Sequence, residues 1–242
     1  MIVIPMAGMS SRFLKAGYIK PKYMLEAHGF TLFEHAVNSF KKYFNKESFL
    51  FIVKDIFDTP SFVTKCAKSL GIKDFHIVVL DKETRGQAET VTLGLKALPD
   101  FHGSITIFNI DTFRPGFTYP DLSNLGRGFL EVFEGEGSNW SFVKAVNKES
   151  TQVCVTAEKK AISNLCCTGL YYFASSDEYL DAYNHYINLP QEQWENGELY
   201  VAPLYNFLIN VDKEIHFHLI KRSEVIFCGV PKEYIDFLNR IF

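Results

Sequence analysis

Between Ile2 and Asp111, short apolar runs alternate with segments of helical spacing, and this alternation constrains the fold more than any other feature of the chain. Ile2–Pro5 is an apolar run that breaks at Ala7-Gly8. Phe33, Ala36, Val37 and Phe40 then follow the 3.6-residue period of a helix, with Thr31 or Glu34 near its start. Phe49–Val53, residues 76–80 and residues 105–110 are further apolar runs of the length of buried strands. Between them, Val63, Ala67 and Leu70, closed by Gly71, mark one helix, and Val91, Leu95 and Leu98, ahead of Pro99, mark another. An order of β-α-β-α-β-α-β has few solutions. Parallel strands need crossovers, and the crossover helices then cover both faces of the sheet.

After Asp111 the pattern changes. Residues 140–146, 152–157 and 169–173 are strand-like runs without long helices between them, which predicts hairpins or an antiparallel extension of the sheet. Residues 179–186 and 201–209 have helical spacing, 215–219 and 225–228 read as strands, and Pro231 opens a last helix through Leu238. No repeat, low-complexity tract or Pro/Gly/Ser-rich linker interrupts the chain. The expected fold is therefore α/β, a single domain over residues 1–242 with a mixed, mostly parallel central sheet and an antiparallel extension. With 25 Lys+Arg against 28 Asp+Glu and a net charge of −3, there is no broad basic excess, and no nucleic-acid partner is expected. No apolar run approaches the ~18 residues of a membrane span, and the start lacks the charged region of a signal peptide. A cytoplasmic protein with no membrane partner is expected. The five cysteines show no C-x-x-C spacing, so they are expected to be free buried thiols in a reducing compartment rather than zinc ligands or disulfides.

Open α/β sheets take their ligands at the carboxyl ends of the strands. This points to the loop after the first strand, Ala7-Gly8-Met9-Ser10-Ser11-Arg12-Phe13. Small residues let backbone N–H groups approach an anion, and the Arg12 fork suits phosphate. Lys15, Lys20 and Lys22 follow, with Pro21 stiffening the chain before Lys22. Taken alone, such a loop reads first as a tight turn followed by a solvated basic stretch. It lacks both G-x-x-x-x-G-K-[ST] and G-x-G-x-x-G, which disfavours a P-loop and a dinucleotide site. Asp111, at the end of the fourth apolar run, either holds magnesium beside phosphates or simply begins a turn.

Taken together, the motifs carry a resemblance. Residues 5–13 with Lys20-Pro21-Lys22 resemble the G-x-G-[ST]-R-[LFM]…P-K signature of the nucleotidyltransferases that activate sugar phosphates. Thr84-Arg85-Gly86-Gln87-Ala88 is similar to the family's base-cradling loop, and Asn109-Ile110-Asp111 to the segment of its metal-binding aspartate. Glu158-Lys159 resembles the pair that approaches the acceptor phosphate, and residues 168–173 the strand beneath the acceptor, with Gly169 in it. Order and rough spacing agree over residues 1–173, with a weaker echo at Gly229-Val230-Pro231.

The resemblance implies a Rossmann-like nucleotide-binding core, shared with nucleotide-sugar glycosyltransferases, with residues 1–111 serving the nucleotide and 112–242 the acceptor. The implied reaction joins an NTP to a small phosphomonoester and releases pyrophosphate with Mg2+. Ala7, Gly8, Met9, Ser10 and Ser11 are then expected to line the triphosphate, Arg12 to neutralise the pyrophosphate and Lys22 to steady the α-phosphate. Gly86 and Gln87 face the base, with a slight lean to CTP. Asp111 holds magnesium and Lys159 draws in the acceptor phosphate. The family implies a stand-alone, capsule- or lipopolysaccharide-type enzyme making a polysaccharide precursor.

Two departures stand out. Ser10 replaces the second glycine, which is tolerable if its φ is negative. Phe227 occupies the place of a second metal aspartate, two residues before Gly229, so that either Asp111 holds magnesium with phosphates and waters or another carboxylate, Glu224 or Asp212, substitutes. Glu198 reads equally as a substrate contact and as a helix-start carboxylate. His216 and His218 read as a half-exposed strand pair rather than metal ligands. Two rivals are a glycosyltransferase, opposed by the residue 8–13 loop and Lys22, and a non-catalytic nucleotide-binding module, kept open by Phe227. The acceptor, the NTP and the oligomeric state stay open.

Overall fold

The structure, a computed structural model, describes residues 1–240. In chain order the elements are β1 (Ile2–Pro5), α1 (Ser11–Lys15), β2 (Glu26–Ala27), β3 (Phe30–Thr31), α2 (Leu32–Asn38), β4 (Phe49–Val53), α3 (Thr59–Leu70), β5 (Phe75–Val79) and α4 (Gln87–Lys96). They continue with β6 (Ile105–Phe108), β7 (Thr112–Phe113), β8 (Gly128–Glu134), β9 (Ser141–Ala145), β10 (Val153–Glu158), β11 (Leu165–Phe173), α5 (Ser176–Ile187), α6 (Leu204–Asn210), β12 (Ile215–Ile220), β13 (Ile226–Phe227) and α7 (Pro231–Leu238). The fold is α/β on a mixed central sheet, as the alternation predicts. Among the described residues no helix is long and apolar enough to cross a membrane.

Two compact units interleave along the sequence. Among the described residues, one takes residues 2–83, 108–118 and 223–240; the other takes Met1 and residues 84–107 and 119–222. In the first, β1, β4 and β5 pair in parallel, with Ile2 opposite Phe49 and Phe49 opposite Phe75. Every residue of β4 is fully buried, which is why it reads as an unbroken apolar run rather than an alternating one. Its core is phenylalanine-rich: the Phe40 ring meets Phe108 and Phe117 edge-on at 5.0 and 5.1 Å. Helix α2 starts where the sequence suggests. The Thr31 hydroxyl accepts from the Glu34 N–H at 3.2 Å while the Glu34 carboxylate accepts from the Thr31 N–H at 2.8 Å.

In the second unit β8 is central, antiparallel to β11 and parallel to β12, while β9 and β10 form an antiparallel hairpin beside β11. The antiparallel extension is thus present. β8 itself is not legible in the sequence, because all its residues through Phe133 are buried and the glutamate inside it, Glu131, breaks the apolar run. The pairing of β11 with β8 shifts between Cys167 and Tyr171, where Gly169 takes φ 94°. Phe173 stacks on Tyr205 at 4.2 Å, and the buried Tyr205 hydroxyl donates to the Tyr172 carbonyl at 2.8 Å.

Two local expectations are corrected. Ser11, Arg12 and Phe13, read as loop, open the helix Ser11–Lys15, since five residues are too few to show a period. Cys154 is exposed and Cys66 only half-buried, whereas Cys166, Cys167 and Cys228 are buried; all five are free.

Candidate active site

The loop after β1 starts tied to the sheet, the Met6 N–H donating to Ile52 O at 2.9 Å. Ala7 is buried, while Gly8, Met9, Ser11 and Arg12 are exposed. No protein atom lies within 4 Å of where a Gly8 Cβ would stand, and Gly8 is outside the positive-φ region. The fold itself therefore makes no demand for glycine there, while a ligand lying against the backbone would. Ser10 departs from expectation, adopting φ 52° and ψ 33°. A left-handed non-glycine costs roughly 1–2 kcal/mol, and three contacts over-determine it. Its carbonyl accepts from the N–H groups of Phe13 and Leu14 at 2.9 and 3.2 Å, and its hydroxyl accepts from the Lys22 N–H at 3.2 Å. The serine that replaces a glycine thus fixes the lysine twelve residues on. The Arg12 side chain has no carboxylate partner among the described residues.

Lys22 opens a 3-10 turn, Lys22–Met24, that is anchored from below. The Thr59 hydroxyl donates to Ile56 O at 2.5 Å, so it accepts from the buried Tyr23 hydroxyl at 2.9 Å. Above this anchor the Lys22 ammonium donates to Asp111 Oδ2 at 2.5 Å, with the two side chains 20% and 22% exposed. At that exposure the pair adds little stability. Its consequence is geometric, since it joins loop, lysine and carboxylate.

The Asp111 carbonyl accepts from the Cys228 N–H at 2.8 Å, and Phe227 pairs with Thr112. The register therefore delivers the position of the missing aspartate beside Asp111, with a ring in place of a carboxylate. Of the two substitutes, Glu224 is held at Arg114, whose Nη1 donates to the Glu224 carbonyl at 2.7 Å, and Asp212 follows α6 in the other unit. The carboxylate that comes beside Asp111 is Glu233. Asp111 Oδ2 and Glu233 Oε2 lie 3.1 and 3.6 Å from where a Gly229 Cβ would stand. Glu233 Oε2 accepts from the N–H groups of Gly229 and Val230 at 2.8 and 3.2 Å. The signal for it was in the sequence: a glutamate at the third position of the helix that Pro231 opens. Among the described residues no group of three or more His, Cys, Asp or Glu could hold a metal. Magnesium asks for less, namely one or two carboxylates with phosphates and waters, and the partly exposed Asp111 fits that.

In the other unit the base-loop candidate is stitched to a distant segment. The Leu199 N–H donates to Arg85 O and its carbonyl accepts from the Ala88 N–H, both at 2.9 Å. Gly86, at φ 149°, is pressed against this stitch, where a Cβ would stand 2.4 Å from Leu199 O and 2.6 Å from its N. Gly86 therefore has a reason inside the fold, independent of any base. Arg85 Nε donates to Glu89 Oε1 at 3.0 Å and its guanidinium lies 5.7 Å over Trp194, so its direction is fixed. Gln87 begins α4.

β10 ends on Glu158, whose side chain turns inward while Lys159 turns outward. Burial pushes the Glu158 carboxyl above the usual carboxylate range; the Ser141 hydroxyl that donates to it and the Lys159 charge pull it back, and Glu195 and Glu198 push it further up. The Lys159 ammonium donates to the Tyr200 hydroxyl. Glu198 is exposed one residue before Leu199, and Gly169 is buried in β11. Tyr200 lies in the segment 196–200 that resembles one near the acceptor pocket of relatives, but nothing in the sequence shows that its hydroxyl would meet Lys159. His216 Nδ1 lies 2.8 Å from the Thr151 hydroxyl, and His218 meets Phe129 edge-on, an arrangement of structural contacts.

The chain is similar to a nucleoside-diphosphate-sugar pyrophosphorylase from Vibrio cholerae RC9, with 62% identity and a TM-score of 0.97 over 99% of this chain and 100% of that one. It is also similar to a UDP-glucose pyrophosphorylase solved with UDP-glucose, at 17% identity and a TM-score of 0.74, covering 98% of this chain and 96% of that one. An inositol-1-phosphate CTP transferase from T. maritima matches at 15% identity and a TM-score of 0.72, covering 98% and 93%. These last two likenesses are of fold alone. No protein-family model and no curated protein matches the chain.

Proposed function

The chain belongs to the nucleoside-diphosphate-sugar pyrophosphorylase family and is a nucleotidyltransferase, and from that premise we propose that it transfers a nucleoside monophosphate from an NTP to a small phosphomonoester. An oxygen of the acceptor phosphate attacks the α-phosphorus in line, the bond to the β-phosphate oxygen breaks, and pyrophosphate leaves. No covalent enzyme intermediate is needed, so the protein's task is placement and charge neutralisation.

The observation that carries the reading is the chain Ser10–Lys22–Asp111, in which one loop residue fixes a lysine that meets a carboxylate at 2.5 Å. On this reading Ala7, Gly8, Met9, Ser10 and Ser11 line the triphosphate. Arg12, exposed and without an acidic partner, takes the charge that grows on the pyrophosphate, where its planar fork suits two phosphate oxygens. Lys22 steadies the α-phosphate, moving from Asp111 to do so. Asp111 would hold magnesium, which when bound neutralises charge between the phosphates. Gly86 and Gln87 bound the base, with CTP slightly favoured. Lys159 draws in the acceptor phosphate, Glu198 contacts the acceptor, and Gly169 lies in the strand beneath it.

Residues 1–111 serve the nucleotide and 112–242 the acceptor within one domain, and the product is a cytoplasmic precursor for a surface polysaccharide of the capsule or lipopolysaccharide type. The test is pyrophosphate release with CTP, UTP, dTTP, ATP and GTP against glucose 1-phosphate, inositol 1-phosphate, a polyol phosphate and phosphocholine, with and without magnesium. Turnover of one NTP–acceptor pair only with magnesium is expected. NTP binding with no pyrophosphate from any pair would defeat the reading.

A further inference from the structure

Lys159 is held at both ends. Its backbone sits at φ 52° and its N–H donates to Trp140 O at 2.8 Å. Its ammonium, which can only donate, gives one N–H to the Tyr200 hydroxyl. Two N–H donors remain for another oxygen ligand. Tyr200 is itself held, because it follows Leu199, which is fully buried and hydrogen-bonded through both N–H and carbonyl to the 85–88 loop. The approach of that loop depends on the absent side chain of Gly86. An exposed lysine on a four-carbon stem would otherwise sample many rotamers, and ordering it on ligand binding would cost affinity.

We infer that Tyr200 is a positioning residue for the acceptor phosphate, presenting the Lys159 ammonium in one orientation from a mount fixed by the Leu199 stitch. This rests on the reading of Lys159 as the acceptor-phosphate group. Tyr200 acts through Lys159, so its loss appears in the acceptor KM and leaves nucleotide recognition in place.

The experiment compares wild type, Lys159→Ala, Tyr200→Phe and Tyr200→Ala as full chains, using whichever of glucose 1-phosphate, inositol 1-phosphate and phosphocholine releases pyrophosphate fastest. KM for acceptor, KM for NTP and kcat are measured separately. Tyr200→Ala is expected to raise the acceptor KM about tenfold with the NTP KM within about twofold, the scale of ordering one long side chain. Tyr200→Phe, which loses the hydroxyl that holds the ammonium, is expected to approach the same rise. Lys159→Ala should exceed both. An unchanged acceptor KM in Tyr200→Ala beside a raised one in Lys159→Ala overturns the role of Tyr200 and leaves that of Lys159 standing. Equal rises in both KM values for Tyr200→Ala mark it as merely structural and also overturn the inference. An unchanged acceptor KM in Lys159→Ala, or no turnover by wild type with any of the three acceptors, defeats the underlying reading and the inference with it.

Discussion

Gly8 and Gly86 look alike in the sequence, and the structure gives them opposite fates on substitution by alanine. At Gly86 the backbone lies at φ 149° and ψ 177°, a region essentially reserved for glycine that costs another residue about 1–3 kcal/mol. The added methyl would stand 2.4 Å from a Leu199 carbonyl oxygen that is already hydrogen-bonded, and overpacking of that kind costs about 1–3 kcal/mol more. A loss of about 4 kcal/mol corresponds, at about 2–4 °C per kcal/mol for a chain of this size, to a Tm lower by about 8–16 °C. At Gly8 nothing lies within 4 Å of the added methyl, so stability should stay within about 0.5 kcal/mol, which is about 2 °C or less. The methyl would instead meet the triphosphate. A tenfold loss of affinity removes about 1.4 kcal/mol of ligand stabilisation, or about 3–6 °C of the Tm rise produced by saturating NTP and magnesium. Thermal unfolding of both variants with and without NTP and magnesium measures all of this. A Gly86→Ala protein melting within 2 °C of wild type would refute the collision argument, and a Gly8→Ala protein with the full ligand-induced rise would refute the approach of phosphate to that backbone.

Asp111→Ala should lower kcat by more than tenfold at saturating magnesium while Tm stays close to wild type, because its partly exposed pair with Lys22 adds little stability; more than a tenth of wild-type kcat would remove Asp111 from the principal metal role. Arg12→Ala and Lys22→Ala should each lower kcat/KM by roughly two to four orders of magnitude, and Arg12→Lys should recover only part of it, since a point charge lacks the fork; full recovery would tell against a geometric role for Arg12. Glu158 binds its proton more tightly folded than unfolded, burial being the main cause, so the stability it contributes is present below the ordinary carboxylate range and lost as pH rises through its raised folded value. Glu158→Gln, which keeps an acceptor for Ser141, should therefore gain in Tm over wild type as pH rises from 4 to 8, and a difference independent of pH would contradict that.

What the sequence makes legible depends on how local the determinant is. Buried parallel strands such as β4 are read from five consecutive apolar residues, and α2 from Thr31 and Glu34, whose contacts lie within one turn. α1 escapes because five residues show no period, and β8 because burial on both faces removes alternation while Glu131 sits inside it. The conformation of Ser10 is not legible for a related reason. A rule for isolated residues expects negative φ, yet the positive φ is held by Phe13, Leu14 and Lys22 together, and the last of these is not a local partner.

The site follows the same logic. Motif order was enough to nominate Lys22 and Asp111, but not to say that they meet, because their contact spans 89 positions and is set by the anchored turn of Tyr23 on Thr59. The missing aspartate at Phe227 looked like a loss of the metal site when read along the chain. In three dimensions the β7–β13 register brings Phe227 opposite Thr112, and the next turn carries Glu233 back toward Asp111 from six residues later. A carboxylate can thus return to the neighbourhood of a site from a different element, where no fixed spacing records it. The same holds for Tyr200, whose position against Lys159 is fixed by two backbone hydrogen bonds of Leu199 to a loop more than a hundred residues earlier. Residues that act on substrate leave motifs because their chemistry fixes their type. Residues that only hold them in place are constrained by a contact, and a contact is visible only once the chain has folded.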